Sequence, residues 1–163
     1  MATGTEPVVI VIATDADIVQ ARQLGRDLAT EAGCGTSDLT MVATAISEIA
    51  RNMLTHAGGG HVQLCLLDEG GRRGIEVVAT DQGPGIADLD RALQDGYTSG
   101  GGLGFGLPGA RRLMDELTIE TTPSVGTTIT MRKWCDTTLI VLGPLHRSTD
   151  PAPAQQPLRR SAS

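Results

Sequence analysis

The sequence predicts an α/β two-layer sandwich in which a mixed, largely antiparallel sheet carries helices on one face. Two long amphipathic segments come first, and pairs of β-branched runs joined by polar turns follow them. This order favours antiparallel hairpins over alternating βαβ units. The length of 163 residues suits one domain, and the chain has only one Trp, one Tyr and one Phe, so its core must be aliphatic.

The first half of the chain predicts a strand, two helices and a hairpin. Asp15 or Asp17 can cap the first helix through a side-chain oxygen. Ser37 or Asp38 can open the second helix, which the glycines from Gly58 onward close. The predicted ranges are a strand at 8–13, helices at about 15–32 and 37–57, and paired strands at 61–67 and 74–80.

The second half predicts a short helix and another hairpin. Pro108 fits the first turn of the helix, where its missing N–H has no intrahelical partner in any case. The predicted ranges are a helix at 107–116 and paired strands at 117–122 and 127–134. Residues 1–135 form the predicted domain. Residues 136–163 are proline-rich and predict a disordered tail, within which 138–142 have the composition of an edge strand.

Composition and charge narrow the function. The formal charge of −6 gives no electrostatic reason to bind nucleic acid or an anionic membrane, so a protein partner or a small ligand is expected. No signal peptide is recognisable and no apolar run reaches the roughly 18 residues of a membrane span, so we expect a cytoplasmic protein. Cys34, Cys65 and Cys135 predict neither a disulfide framework nor a zinc site, and each is expected to be a small buried or half-buried residue.

Two polar features stand beside predicted core elements. Glu48 and Asn52 lie one helical turn apart next to an apolar stripe, and asparagine is unfavourable in mid-helix. Asp81 follows a predicted strand and precedes Gly83 and Gly85. Its carboxylate could accept a hydrogen bond from an exocyclic amine while the backbone turns away from a flat ring. Taken singly, each pattern is more often a solvated helix face or an ordinary turn.

The segment 100–109 reads GGGLGFGLPG and contains G-x-G-x-x-G. Such glycines allow a main chain to approach phosphates closely. In a dinucleotide-binding fold this fingerprint follows an early strand, and an acidic residue comes about 20 residues later. Here the fingerprint lies late in the chain, after a long loop, so the dinucleotide interpretation is disfavoured.

Read in order, these motifs resemble the N, G1, G2 and G3 boxes of the GHKL ATPase and kinase superfamily, over about residues 7–134. Four further stretches, ARQLGR, TAISEIARN, DGYTSGG and GLPG, are similar to the RsbT family of stressosome switch kinases. The resemblance implies a Bergerat fold and a GHKL ATP-binding kinase domain over residues 1–135. The boxes are Glu48-x-x-x-Asn52, Asp81-x-Gly83-x-Gly85, Gly102-x-Gly104-x-Gly106 and Gly126-Thr127.

The resemblance also implies a role for each matching residue. Asp81 would bind the adenine amino group of ATP with support from Thr127, directly or through water, while Gly83 and Gly85 shape the base pocket. Asn52 would offer its amide oxygen to Mg²⁺, which prefers oxygen ligands. Glu48 would accept the proton of the attacking serine hydroxyl. We expect a lid at about 87–103, followed by a helix. The glycines that would present backbone amides to the phosphates there are Gly102, Gly104 and Gly106.

The predicted lid departs from what phosphate binding would favour, because it contains one cation, Arg91, and no lysine. Further positive charge for the terminal phosphate must come from another group, such as Arg51 or a partner. His56 follows Asn52 by one helical turn, and it is expected to be structural.

The same resemblance implies partners. An ATP- and Mg-dependent serine/threonine kinase of this type phosphorylates a serine on a STAS-domain antagonist. When released, it activates a PP2C-type phosphatase in stress and sigma-factor signalling. One alternative is an adaptor that binds ATP weakly or not at all and acts by protein contact. Another is an anti-sigma factor that binds a sigma factor, since it uses nearly the same boxes. The presence of both Glu48 and Asn52 favours the enzyme over a pure adaptor, which has no chemical need for both.

Overall fold

A computed structural model describes residues 3–94 and 106–135 of the chain. The predicted tail at 136–163, the possible strand at 138–142 and most of the predicted lid lie outside the described residues, and the domain boundary stays a prediction. The described elements are β1 (Thr3–Gly4), β2 (Val8–Ile12), α1 (Asp15–Glu31), α2 (Thr36–Ala57), β3 (Gly60–Glu69), β4 (Arg72–Asp81), α3 (Leu89–Ala92), α4 (Gly106–Leu113), β5 (Glu116–Thr122) and β6 (Gly126–Cys135).

The strands form one sheet in the order β1-β3-β4-β6-β5, and β2 also pairs with β3. Every strand pair within the described residues is antiparallel. Alternate residues of β3, such as Val62 and Leu64, are buried, whereas Gln63 between them is half-buried. This period of two places one face of the sheet against the helices and leaves the other more exposed.

The core lies between the helices and the buried face of the sheet. The apolar stripe predicted for α2 is buried at Val42, Ile46, Ile49, Ala50 and Met53. α1 packs closely on this stripe because Gly25 has no side chain, and a Cβ at that position would overlap the Ile46 side chain. The close packing of α1 on α2 therefore depends on this glycine.

The helix ends follow local chemistry. The cap of α1 is Thr14, not the predicted Asp15 or Asp17. The Thr14 hydroxyl accepts the N–H of Asp17, and the Asp17 carboxylate accepts the N–H of Thr14 at 2.8 Å in return. This reciprocal pair is a capping box. α2 ends as predicted at Gly58, whose φ of 73° is the left-handed conformation that suits glycine.

Several predicted bounds were displaced. The turn between β3 and β4 is only Gly70 and Gly71, both at positive φ, so these strands are longer than predicted. α4 ends at Leu113 rather than at residue 116, and Glu116 begins β5. The short elements β1 and α3 were not predicted.

The expectation for the cysteines was wrong in part. Cys34, between α1 and α2, is disulfide-bonded to Cys135 at the end of β6, with the two Cα atoms 4.6 Å apart and 101 residues between them in sequence. Cys65 is free and half-buried, as expected. None of the described helices is both long and apolar enough to cross a membrane.

Candidate functional site

A cavity of about 400 Å³ lies between the C-terminal half of α2, the adjoining ends of β4 and β6, the segment after β4 and the start of α4. Its volume suits a small-molecule ligand. The predicted site residues that line it are Glu48, Asn52, Asp81, Gly85, Gly106 and Thr127. Gly83 lies beside the cavity, and Gly102 and Gly104 lie outside the described residues.

α2 contributes one polar face to the cavity. Glu48 and Asn52 are half-buried and line the same wall, as their spacing of one helical turn predicts. His56 lies on this wall one turn further on and is exposed, so its side chain is not in the core. A carboxylate and an amide thus face the cavity from a rigid helix.

The sheet contributes Asp81 and Thr127, which are paired across β4 and β6. The Gly83 N–H donates to Oδ1 of Asp81 at 2.9 Å. Within the described residues no hydrogen bond is made by Oδ2, which remains available as an acceptor. Thr127 is 7% exposed, and its Oγ1 lies 3.0 Å from Oγ1 of Thr121 on β5.

The glycines around Asp81 are required by space. A Cβ at Gly83 would lie 2.5 Å from the Cβ of Ala57 on α2. Gly85 has a φ of 73°, and a Cβ there would lie 2.6 Å from the carbonyl oxygen of Thr122. A Cβ at Gly126 would overlap the carbonyl oxygen of Asp81. The backbone therefore approaches α2 and β5 more closely than any side chain would allow.

Charges of both signs surround the cavity. The two arginines are Arg51 on α2 and Arg91 on α3, both exposed, and the carboxylates are Glu48, Asp81 and Asp88. The two arginines that the sequence suggested as sources of positive charge for the phosphates thus both line the cavity. The described side chains at the cavity therefore supply no excess of positive charge to neutralise a polyphosphate.

Lys133, which the sequence did not single out, connects the two helices of the site. It is 8% exposed, and its Nζ donates to the carbonyl oxygen of Leu113 at the end of α4 at 3.1 Å. The same Nζ lies 3.7 Å from the Asp38 carboxylate near the start of α2 and 3.5 Å from that of Asp115. One buried cation thereby fixes α2 and α4, which border the cavity, to β6.

Comparison with known proteins identifies the family. Residues 11–133 match the histidine kinase-like ATPase domain, and this chain belongs to that family. It is 47% identical to the serine/threonine-protein kinase RsbT of Bacillus subtilis over 123 residues, which cover 76% of this chain and 92% of that kinase. The predictions that this chain is a GHKL protein of the RsbT type and that it is a serine/threonine kinase are thereby confirmed.

One further relative and one solved structure are similar to this chain. The chain is 33% identical to an anti-sigma F factor of Shouchella clausii over 106 residues, covering 62% of this chain and 73% of that protein. A crystal structure of the RsbU and RsbW domains of a Mycobacterium tuberculosis protein superposes with a TM-score of 0.56 at 24% identity, over 79% of this chain and 32% of that one. The predicted α/β sandwich is confirmed, and the chain spans about a third of that larger protein.

Proposed function

We propose that this chain is an ATP- and Mg-dependent kinase that phosphorylates a serine of a STAS-domain antagonist in the cytoplasm. We further propose that, once released, it activates a PP2C-type phosphatase in stress and sigma-factor signalling. The observation that carries the proposal is that an acid and an amide on α2 face the same cavity as an aspartate flanked by space-limited glycines. The similarity to RsbT supports the choice of partners.

The fit of adenine rests on the sheet side of the cavity. Oδ2 of Asp81 is available to accept the exocyclic amine, while at Gly83 and Gly85 the backbone packs directly on α2 and β5 and so shapes the wall of the base pocket. Thr127 would supply a hydroxyl beside that carboxylate. A half-buried carboxylate matched to an amine disfavours a base that presents a carbonyl oxygen there, because two acceptors would then face each other.

The fit of Mg²⁺ rests on the charge of the cavity. Three carboxylates line it against two arginines, so a triphosphate needs additional positive charge. When bound, Mg²⁺ supplies that charge and helps to position the phosphates for transfer. The Asn52 amide oxygen would hold the ion, while Arg51, Arg91 and the backbone amides at Gly102, Gly104 and Gly106 would hold the phosphates.

Glu48 would act on the acceptor serine. Its carboxylate would accept a hydrogen bond from the serine hydroxyl, orient the oxygen for attack and take the proton as the new bond forms. Phosphoryl transfer depends mainly on positioning and charge, so loss of this group should slow turnover more than it weakens nucleotide binding.

The test is Glu48→Gln with γ-labelled ATP and a STAS-domain protein encoded in the same genome. We expect ATP affinity within about twofold of wild type and a loss of about 100-fold or more in label transfer. Glu31→Gln, at an exposed position at the end of α1, is the control and should transfer label normally. Wild-type transfer by Glu48→Gln would refute the assignment of the base.

A second candidate is an anti-sigma factor that acts by binding a sigma factor. The similarity to anti-sigma F factors at 30–36% identity favours it. A pull-down against a STAS-domain protein and against a sigma factor separates the two, since stable ATP-dependent capture of the sigma factor is expected only of the anti-sigma factor.

A further inference from the structure

Thr121 of β5 adjoins the predicted adenine pocket without lining it. Its Oγ1 accepts the N–H of Ile86 at 2.8 Å and lies 3.0 Å from Oγ1 of Thr127. Ile86 and Thr127 both line the cavity. One hydroxyl on β5 therefore joins the segment after β4 to β6 at the end of the cavity where Asp81 lies.

The distances favour one direction for these hydrogen bonds. A threonine hydroxyl has one proton, and Thr121 has two candidate acceptors within reach: Oγ1 of Thr127 at 3.0 Å and the carbonyl oxygen of Gly126 at 3.4 Å. O–H···O bonds normally fall between about 2.5 and 3.0 Å, so the Thr127 oxygen is a better placed acceptor than the Gly126 carbonyl oxygen. Either hydroxyl of this pair can be the donor, and with its proton on the shorter of its two contacts Thr121 donates to Thr127.

This direction determines what Thr127 offers to a ligand. With a lone pair of Thr127 occupied by the Thr121 proton, its own proton is left to donate elsewhere. Among the described residues Thr121 is the only hydrogen-bond partner of the Thr127 hydroxyl. Because Thr127 lines the cavity, its proton is available to a ligand there.

We propose that Thr121 is a positioning residue for nucleotide specificity, which orients the Thr127 hydroxyl as a donor toward the acceptor nitrogen N1 of adenine. The inference rests on the proposed function. Asp81 and Thr127, opposite each other on β4 and β6, then present an acceptor beside a donor. Adenine presents the complementary pair, its exocyclic amine beside N1. Guanine and hypoxanthine carry a carbonyl oxygen in place of the amine and an N–H at N1. The carbonyl oxygen would face the Asp81 carboxylate, and the N–H would face the Thr127 donor.

The experiment compares ATP with 1-deazaadenosine triphosphate, in which C–H replaces N1, by titration calorimetry. Wild type should bind ATP about two- to tenfold more tightly than the deaza analogue, the usual effect of one hydrogen bond. Thr121→Val keeps the shape and removes the hydroxyl, and it should lose most of this ratio. Thr121→Ser restores the hydroxyl and should restore the ratio. A merely structural role would weaken both nucleotides equally and leave the ratio unchanged.

Thr128→Val is the matched control. Thr128 is the next residue on β6, it does not line the cavity, and its Oγ1 lies 3.4 Å from Oγ1 of Thr80. It should retain the wild-type ratio. A Thr121→Val chain with the wild-type ratio, or a wild type that binds both nucleotides equally, overturns the inference and leaves the kinase proposal standing. If wild type binds neither nucleotide, the proposed function fails and the inference fails with it.

Discussion

At the scale of single residues, the site combines polar side chains with glycines that let the backbone pack closely around them. The Gly83 N–H holds one oxygen of Asp81, and the missing side chain of Gly83 lets this segment contact Ala57 of α2. The same residue therefore fixes the carboxylate and sets the distance between strand and helix. Such a position tolerates no larger residue, since even a Cβ would need α2 to move.

Asp81→Asn tests the acceptor. The asparagine side chain is of similar size, but one of its two positions becomes an NH₂ donor, which faces the amine of adenine unfavourably. We expect ATP affinity to fall about tenfold or more, because hydrogen bonds to charged groups contribute about 1.5–3 kcal/mol. Titration calorimetry measures the affinity. An unchanged dissociation constant, with the fold intact by circular dichroism, would exclude Asp81 from adenine binding.

Glu48, Asn52 and Asp81 could be predicted from the sequence because each belongs to a local pattern. Glu48 and Asn52 are one helical turn apart, and Asp81 follows the end of a predicted strand. Thr121 could not be predicted in this way. That residue is an ordinary β-strand threonine whose position depends on the pairing of β5 with β6 and on the return of the chain at Ile86. Contacts of this kind follow from strand register, which local patterns do not specify.

At the scale of elements, α2 was predicted within one residue because its apolar period and its terminal Gly58 agree. α4 was predicted three residues too long, and the reason lies outside its own sequence. The Leu113 carbonyl is bound by Lys133, and the Asp115 N–H donates to the Arg132 carbonyl, so the chain already follows the sheet there. Tertiary contacts therefore end a helix that local propensity would continue.

The start of α1 makes a prediction about pH. The backbone N–H groups of Ala13 and Thr14 and the Thr14 hydroxyl hold the pKa of the Asp17 carboxyl below its ordinary value, the Ala13 bond first. Because folding lowers this pKa, the ionised carboxylate stabilises the fold at pH values above the unfolded-state pKa of about 4. This stabilisation is lost as the pH falls further, through the folded-state pKa. Between pH 5 and pH 2, the melting temperature of wild type should therefore fall more steeply than that of Asp17→Asn. Equal slopes in the two chains would contradict this account of the cap.

At the scale of the whole molecule, sheet topology assembles the cavity from distant parts of the chain. Asp81 and Thr127 are neighbours because β4 pairs with β6, although α3, α4 and β5 lie between those strands in sequence. Lys133 then fixes the start of α2 and the end of α4 to the same β6. The arrangement of the site thus depends on β6, which carries both Thr127 and Lys133.

The Cys34–Cys135 bond fixes the far end of β6 to the connection between α1 and α2. No local sequence pattern predicts this disulfide bond, because the two cysteines are 101 residues apart and are brought together only by the fold. The pairing makes the stability of the chain depend on redox state. Cys65 is free, and burial, followed by the neighbouring Glu76 carboxylate, raises the pKa of its thiol, which disfavours the reactive thiolate.

Reduction should accordingly destabilise the oxidised protein. Closing a loop of this length restricts the unfolded chain, and removing such a bond typically costs about 2–4 kcal/mol of unfolding free energy. Urea unfolding with and without dithiothreitol measures the difference. The double variant Cys34→Ala with Cys135→Ala should be insensitive to the reductant, whereas Cys65→Ala should respond as wild type does. Alkylation of the unfolded, unreduced chain should modify Cys65 alone of the three cysteines, and modification of all three would show that the pair is not bonded.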